Sequence, residues 1–224
     1  MRNRIQPSKA PNQPIAPASY VMGYFQQFSN ALRIYFNQVD SLWASLLGRV
    51  GGRYIEFPHI AASDTTDQYA TADNTPTLIL WNNADSVNGF TLNLDGTATP
   101  TYPGIYKIDY SLQLANTDNT AHDVYVWLEV NGGTQVPRST SKFTIPARKS
   151  TGFPSFIVAY SSITFEVAAG DTIALYWATD KAYNSTGPVD GVYMEYIPAQ
   201  TTPYEHPENP SAVGSITFVS NSLE

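Results

Sequence analysis

Between positions 21 and 46 apolar side chains recur at alternating steps of four and three: Val21, Phe25, Phe28, Leu32, Tyr35, Val39, Leu42 and Leu46. This heptad seam predicts one long amphipathic α-helix. Ser19, directly after Pro17 and Ala18, is the expected N-cap, and Gly48, Gly51 and Gly52 supply the stop. At about 1.5 Å per residue the helix would be roughly 40 Å long. Such a seam must be covered, either by copies of itself or by folding back on another body. The flanking positions hold Met22, Ser29, Phe36 and Trp43 on one side and Tyr24, Ala31, Gln38 and Ser45 on the other, and only Arg33 and Asp40 are charged. A solvated coiled coil carries Glu and Lys there. Self-association is therefore the preferred reading, with Phe36 and Trp43 left over to contact a further partner.

From residue 53 to 198 the period shortens. Runs rich in Val, Ile, Tyr, Phe and Thr alternate with clusters of Gly, Asn, Asp and Pro, as in an all-β sandwich or barrel. The clearest are Thr77–Trp81, Phe90–Leu94, Gly104–Leu114, Val124–Val130, Lys142–Ile145, Phe156–Val167, Asp171–Ala178 and Gly191–Ile197. In Gly104–Leu114 the set Tyr106, Ile108, Tyr110, Leu112 and Leu114 alternates with Ile105, Lys107, Asp109, Ser111 and Gln113, so one face is buried. Asn131-Gly132 marks a hairpin.

The ends read differently. Residues 1–18 form an arm with Arg2, Arg4 and Lys9, no acid, and Pro7, Pro11, Pro14 and Pro17, which favour extended conformation. It is either a free tail or an anchor lying in a groove on a neighbour. Residues 19–52 hold the helix and a glycine hinge. Residues 199–224 read as a tail broken by Pro203, Pro207 and Pro210, in which Ser215-Ile216-Thr217-Phe218-Val219 alternates like a short strand. A lone strand is not stable, so this one frays or joins a neighbour's sheet edge.

Composition narrows the function. Net charge is −7, which argues against nucleic acid as the main partner. There is no cysteine, so disulfides and thiolate metal sites play no part. Charged residues make up only 14 % and aromatics 13 %, a balance suited to strands and covered surface. No apolar run reaches membrane-span length, and prolines follow Arg2 and Arg4 where a secretory signal would be apolar.

Four stretches carry a family resemblance. Gly89-Phe90 leads into Pro103-Gly104-Ile105-Tyr106. Val126-Trp127-Leu128-Glu129-Val130-Asn131-Gly132 ends in the hairpin. Phe165-Glu166-Val167-Ala168-Ala169-Gly170-Asp171-Thr172-Ile173-Ala174-Leu175 contains a Gly-Asp turn, and Gly191-Val192-Tyr193-Met194-Glu195-Tyr196 closes the series. In order and spacing they resemble the jelly-roll heads of the tumour necrosis factor and complement globular-head superfamily. The resemblance implies a mainly β chain: a ten-stranded antiparallel jelly-roll sandwich, trimer-forming, with aromatic residues along the three-fold axis, here preceded by one long N-terminal α-helix. A helix where the secreted members carry a collagen-like stalk, without a signal peptide, is similar to tailed-phage virion proteins.

Candidate chemistry is sparse. His59, His122 and His206 stand far apart in polar or proline-flanked stretches and read as surface or turn residues. No zinc spacing and no nucleophile elbow is present, so no catalytic, cofactor or metal residue is assigned. Asp64, Asp67 and Asp73, with Asp85 and Asp95, and Asp118 with Asp123, would suit calcium only if loops brought several together; solvated carboxylates are the simpler reading. Among Tyr69, Trp81, Tyr102, Trp127, Tyr176, Trp177 and Tyr183, the loop residues Tyr69, Tyr102 and Tyr183 are the candidates for ligand contact.

The expected function is thus structural and non-enzymatic: a homotrimeric virion protein of a tailed phage, a head decoration, fibre or tail component, assembled in the host cytoplasm. The arm (Arg2, Arg4, Lys9) with Phe36 and Trp43 would anchor it to other virion proteins, and the head would face outward. A receptor- or carbohydrate-binding head, contacting host surface glycan, is the alternative; a glycan-acting enzyme is the third and least supported.

Overall fold

The computed structural model describes residues 12, 15, 18–47, 57–184 and 189–221, with helix side chains described as far as Trp43. The chain divides into two units, Met1–Glu56 and Phe57–Glu224. Arg2, Arg4 and Lys9 lie outside the described residues, as does the Gly48–Gly52 hinge, and the side chain of Leu46 is likewise outside them.

The first unit is built on α1, Met22–Leu47. The expected cap at Ser19 is a correction: the helix opens at Val21, whose carbonyl accepts from Tyr24 and Phe25 at 3.1 and 3.4 Å. Valine has no side-chain acceptor, so the first amides gain no side-chain cap. Phe28, Leu32, Tyr35, Val39 and Leu42 are half-buried along one face, while Val21 and Phe25 at its start are exposed. Neighbouring aromatics cover one another, with Tyr20 stacked on Phe25 at 5.0 Å and Tyr24 on Phe28 at 6.3 Å. Phe36 and Trp43 remain 57 % and 56 % exposed, and no described side chain of the helix is buried.

The second unit is a two-sheet antiparallel sandwich. Its strands are β1 (His59–Asp64), β2 (Gln68–Tyr69), β3 (Thr77–Leu78), β4 (Asn83–Asn88), β5 (Phe90–Leu92), β6 (Ala98–Pro100), β7 (Gly104–Asn116), β8 (His122–Val130), β9 (Thr134–Gln135), β10 (Ser141–Ile145), β11 (Ser155–Val167), β12 (Ile173–Thr179), β13 (Val192–Met194) and β14 (Ala212–Ser220). Ten strands were expected. Of these fourteen, eight have five residues or more and the rest are two- or three-residue segments that patch the sheet margins.

One sheet runs β2-β13-β7-β14-β1-β4, with β11 along the free side of β7; the other runs β10-β8-β12-β6-β5, with β3 on β12 and β9 on β8. β7 is the spine. β11 pairs with it over its whole length, from Ser155–Asn116 to Val167–Gly104, while β13 and β14 share the other side. The alternation read from the sequence of β7 is present: Tyr106, Ile108, Tyr110, Leu112 and Leu114 are buried, and their neighbours Ile105 to Gln113 are half-buried on the outer face. They meet Val124, Val126, Leu128, Leu175 and Trp177 of the opposite sheet in one core.

The resemblance motifs acquire physical reasons here. Tyr106 packs edge-on against Phe90 and Phe218, at 5.3 and 5.5 Å. Gly104 lies under the Phe218 ring, where a Cβ would come within 2.7 Å of it. The Asn-Gly hairpin and the Gly-Asp turn clasp each other: Asn131 Nδ2 donates to Asp171 Oδ1 at 2.8 Å, and Thr172 N donates to Asn131 Oδ1 at 2.9 Å.

Two expectations are corrected. Residues 199–224 are not an appended tail, because β14 lies inside its own sheet between β7 and β1, with Ile216 opposite both Ile108 and Ile60. The stretch Gly191–Ile197 forms only a three-residue strand on the end of β7. Gly214 explains how β14 fits: a Cβ there would stand 2.6 Å from Trp81, so only glycine lets that ring lie across the strand. In β1, β4 and β6 the sequence is too polar or too rich in Ala and Pro to announce strands, and pairing with neighbours overrides propensity.

Candidate functional site

Two of the three loop tyrosines named from sequence come together. Tyr69 of β2 and Tyr193 of β13 are direct cross-strand partners. Tyr183 joins them because its amide donates to the Val192 carbonyl at 3.1 Å, next to Tyr193. The ring centroids form a triangle of 5.7, 5.7 and 5.0 Å, with planes 28°, 22° and 36° apart. Tyr193 was missed because it sits in a hydrophobic strand and reads as core; its position opposite Tyr69 is visible only with the register. Tyr102 stands apart. It is 56 % exposed, packs beside Gly89, and its carbonyl accepts the Tyr106 hydroxyl at 2.9 Å.

Carboxylates hold the cluster. Tyr69 Oη donates to Asp67 Oδ2 at 3.1 Å and Tyr193 Oη to Glu195 Oε1 at 2.9 Å. Burial, then the bond to Asp67, pushes the Tyr69 hydroxyl up to about 12. Tyr193 is raised as well, by burial and the Glu195 charge. Glu195 itself is raised above the usual carboxylate range, chiefly by burial. Both hydroxyls thus stay protonated and act as donors. Beside the rings an open cleft of about 570 Å³ runs between Tyr69–Asp73 and Lys181–Asn184. Asp73 spans it, accepting from Ala182 N at 2.8 Å while Lys181 Nζ lies 3.6 Å from its other oxygen.

A second polar cluster corrects the reading of His122 as a surface residue. It is 9 % exposed, at the start of β8. Its Nε2 lies 2.9 Å from Asp118 Oδ2 and its Nδ1 lies 3.1 Å from Asp180 Oδ1. The bond from His122, with those from Asn119 N and Thr120 Oγ1, holds the Asp118 carboxyl below its ordinary range. Asp180 Oδ1 also accepts from Asp123 N at 3.1 Å. The cluster ties the β7–β8 loop to the end of β12. His59 bonds Ser86 and the Phe57 carbonyl, and His206 the Pro207 carbonyl.

The acidic loop does not converge. Asp64 accepts from Thr66, Asp85 from Ser63, Asp95 from Thr97, and Asp67 from Tyr69 and Tyr196. Among the described residues no group of three or more His, Asp or Glu could hold a metal ion. The other aromatics named as ligand candidates serve packing: Trp177 is fully buried, and Trp127 stacks on Tyr176 while donating to Glu129 at 2.8 Å.

One surface went unread in the sequence. On β11, Phe156, Val158 and Tyr160 project from the outer face at 54 %, 60 % and 60 % exposure, joined on the same sheet by Val213 and Val219. Tyr160 bonds Asp109, whose carboxyl is desolvated yet lowered overall by Lys107, Ser162 and Tyr160. The alternation of Phe156, Val158 and Tyr160 with Ile157, Ala159 and Ser161 was the available signal.

The second unit is, by its own geometry, an antiparallel β-sandwich of two sheets, in a chain whose described helix is long but not apolar enough to cross a membrane. No family model matches the chain, and no curated protein matches it. Among solved structures it is similar to one titled "Structure of Eiger TNF from S. frugiperda", at 10 % identity and a TM-score of 0.46 over 75 % of this chain and 96 % of that chain.

Proposed function

We propose that this chain is a non-catalytic structural protein of a tailed-phage particle, acting as a homotrimer in contact with other virion proteins. The observation that carries the reading is the seam of α1, where Val21 and Phe25 are exposed and Phe28, Leu32, Tyr35, Val39 and Leu42 are only half-buried in the single chain. Apolar surface of that extent is stabilised by burial, at roughly 25 cal/mol per Å², and identical chains bury it with a closed symmetry. The outer face of β11 adds a second apolar surface. The side chains at heptad positions mix Phe, Leu, Val and Tyr and do not dictate the number of strands; three comes from the family resemblance. Phe36 and Trp43, exposed beside the seam, suit contact with another virion protein. Sedimentation of the full chain tests the reading: a mass near three times 24.6 kDa is expected, and a monomer at micromolar concentration would overturn it.

A second reading, a sandwich that also contacts host surface glycan, is favoured by one observation. Tyr69 and Tyr183, chosen separately from sequence, share one cluster beside a cleft. The two readings are compatible, since a virion protein can both build and attach.

A further inference from the structure

We infer that the cleft beside Tyr69, Tyr183 and Tyr193 takes a neutral, hydroxyl-rich oligosaccharide and disfavours acidic ones. The inference deepens the glycan-contact reading and rests on it. Three features select this ligand chemistry.

The first is ring geometry. The three planes lie within 36° of one another and their centroids close a triangle, so the rings share a rough orientation, with Tyr69 and Tyr183 lining the cleft and Tyr193 behind them. An organic cation is held by rings that face it from several sides. Rings that share an orientation instead suit a flat partner, and the face of a pyranose presents polarised C–H bonds to the negative face of an aromatic ring.

The second feature is the pattern of donors and acceptors. Both tyrosine hydroxyls that border carboxylates are engaged as donors to Asp67 and Glu195. Asp67 also accepts the Tyr196 amide at 2.8 Å. An ionised carboxylate has about four lone-pair sites and no proton to give, so each retains capacity to accept. These acceptors stand behind the rings, and the cleft lining itself adds Thr71 and Asp73, whose oxygens can accept from ligand hydroxyls.

The third feature is charge. Asp73 lines the cleft, and Asp67 and Glu195 bond the Tyr69 and Tyr193 hydroxyls of the cluster beside it. Lys181 is the cation at the cleft and is engaged by Asp73 at 3.6 Å. Among the described residues, no ion pair offsets Asp67 or Glu195. A uronate or sulfated chain would bring like charge against them, which costs affinity and slows encounter.

The test uses the full-length protein and calorimetric titration with neutral hexasaccharides of glucose, galactose, mannose and N-acetylglucosamine, beside a galacturonate hexamer and hexalysine. Saturable binding of at least one neutral chain is expected, with the galacturonate hexamer about tenfold weaker or worse. Tyr183→Ala should weaken the neutral ligand about tenfold, the effect of losing about 1.4 kcal/mol of contact. Tyr69→Leu keeps apolar packing without an aromatic face, and should weaken it comparably at an unchanged melting midpoint. Tyr102→Ala, outside the cluster, should leave it unchanged. Tighter binding of galacturonate or of hexalysine would overturn the charge or the ring assignment. Neutral binding that survives both cluster variants would overturn this site while sparing the glycan reading. No glycan binding at all would remove both, leaving the structural reading to stand on its sedimentation result.

Discussion

The two units of this chain solve the problem of apolar surface in opposite ways. The sandwich closes on itself: Leu112, Leu114, Val124, Val126, Leu128 and Trp177 are wholly withdrawn from water. The helix places Phe25, Phe36, Ile34 and Trp43 at 45 to 57 % exposure and buries no described side chain. Hydrophobicity alone does not separate them, since both are rich in Phe, Tyr, Leu and Val. The difference is geometric. A sheet that folds over another sheet covers one face of each in a single chain, whereas a single helix has no second layer of its own.

The sharpest way to break this comparison is to open the finished unit. Ending the chain after residue 210 removes β14, which pairs with β7 from Leu112 to Ile105 on one side and with β1 from His59 to Asp64 on the other. Ladder bonds on two central strands and the burial of Ala212 and Ile216 go with it. That exceeds the roughly 5–15 kcal/mol by which a domain is stable, so the truncated chain should be unfolded by circular dichroism. A cooperative melt near that of the intact chain would show that β14 is dispensable after all.

A smaller effect is expected at the helix, and on a different observable. Replacing Phe28 and Leu32 together by Asn interrupts the seam at its centre. The sedimenting mass should fall towards a single chain, while the unfolding free energy of the sandwich changes by no more than about 0.5 kcal/mol, as for surface substitutions. Leu112→Ala should do the reverse, costing the sandwich about 2–5 kcal/mol through its cavity. If the double substitution unfolds the sandwich, the two units do not stand independently.

What could be read from sequence follows the range of the interactions involved. The heptad seam and the alternation of β7 are written within one turn or one strand, and both were legible. The Asn131 and Asp171 turns were legible as motifs, although their mutual clasp is a contact across forty residues that only the fold displays. The closing strand was misplaced for a related reason. Ser215–Val219 alternates correctly, yet nothing local says that its partners are β7 and β1, both far upstream. Gly214 gives the fit away only once Trp81 is seen across it. At the candidate site, Tyr69 and Tyr183 were picked as loop aromatics, and Tyr193 was hidden by its strand. His122 was misread because a polar stretch suggests exposure, whereas Asp118 four residues upstream and Asp180 from a distant loop together offset the cost of its burial.

The finest distinction between the units is electrostatic. Carboxylates are woven into the sandwich, while the helix carries a single acid, Asp40. Asp118 is held below the ordinary carboxylate range, first by His122 and further by Asn119 and Thr120. Asp123, beside Lys142 and Thr144, and Asp95, beside Thr97, are lowered too. A carboxyl whose folded value lies below its unfolded one, about 3.9, stabilises the fold fully above that pH. The contribution is lost as pH falls through the folded value. The sandwich should therefore weaken as the pH falls from about 5 past the unfolded value near 3.9 and on through the depressed folded values. The Asp118→Asn variant cannot ionise at this position and forfeits that share of stability at every pH. Its unfolding free energy should lie below that of the wild type at pH 6, by about 1 kcal/mol or less for a partly exposed group, and the gap should narrow as the pH falls below about 4. The seam, built from uncharged side chains, offers acid little to act on, so the variant and wild-type chains should sediment alike at pH 6. Parallel curves of unfolding free energy for the two proteins across that pH range would mean that the His122 cluster is ornamental to stability, and that the contrast between the units is one of packing alone.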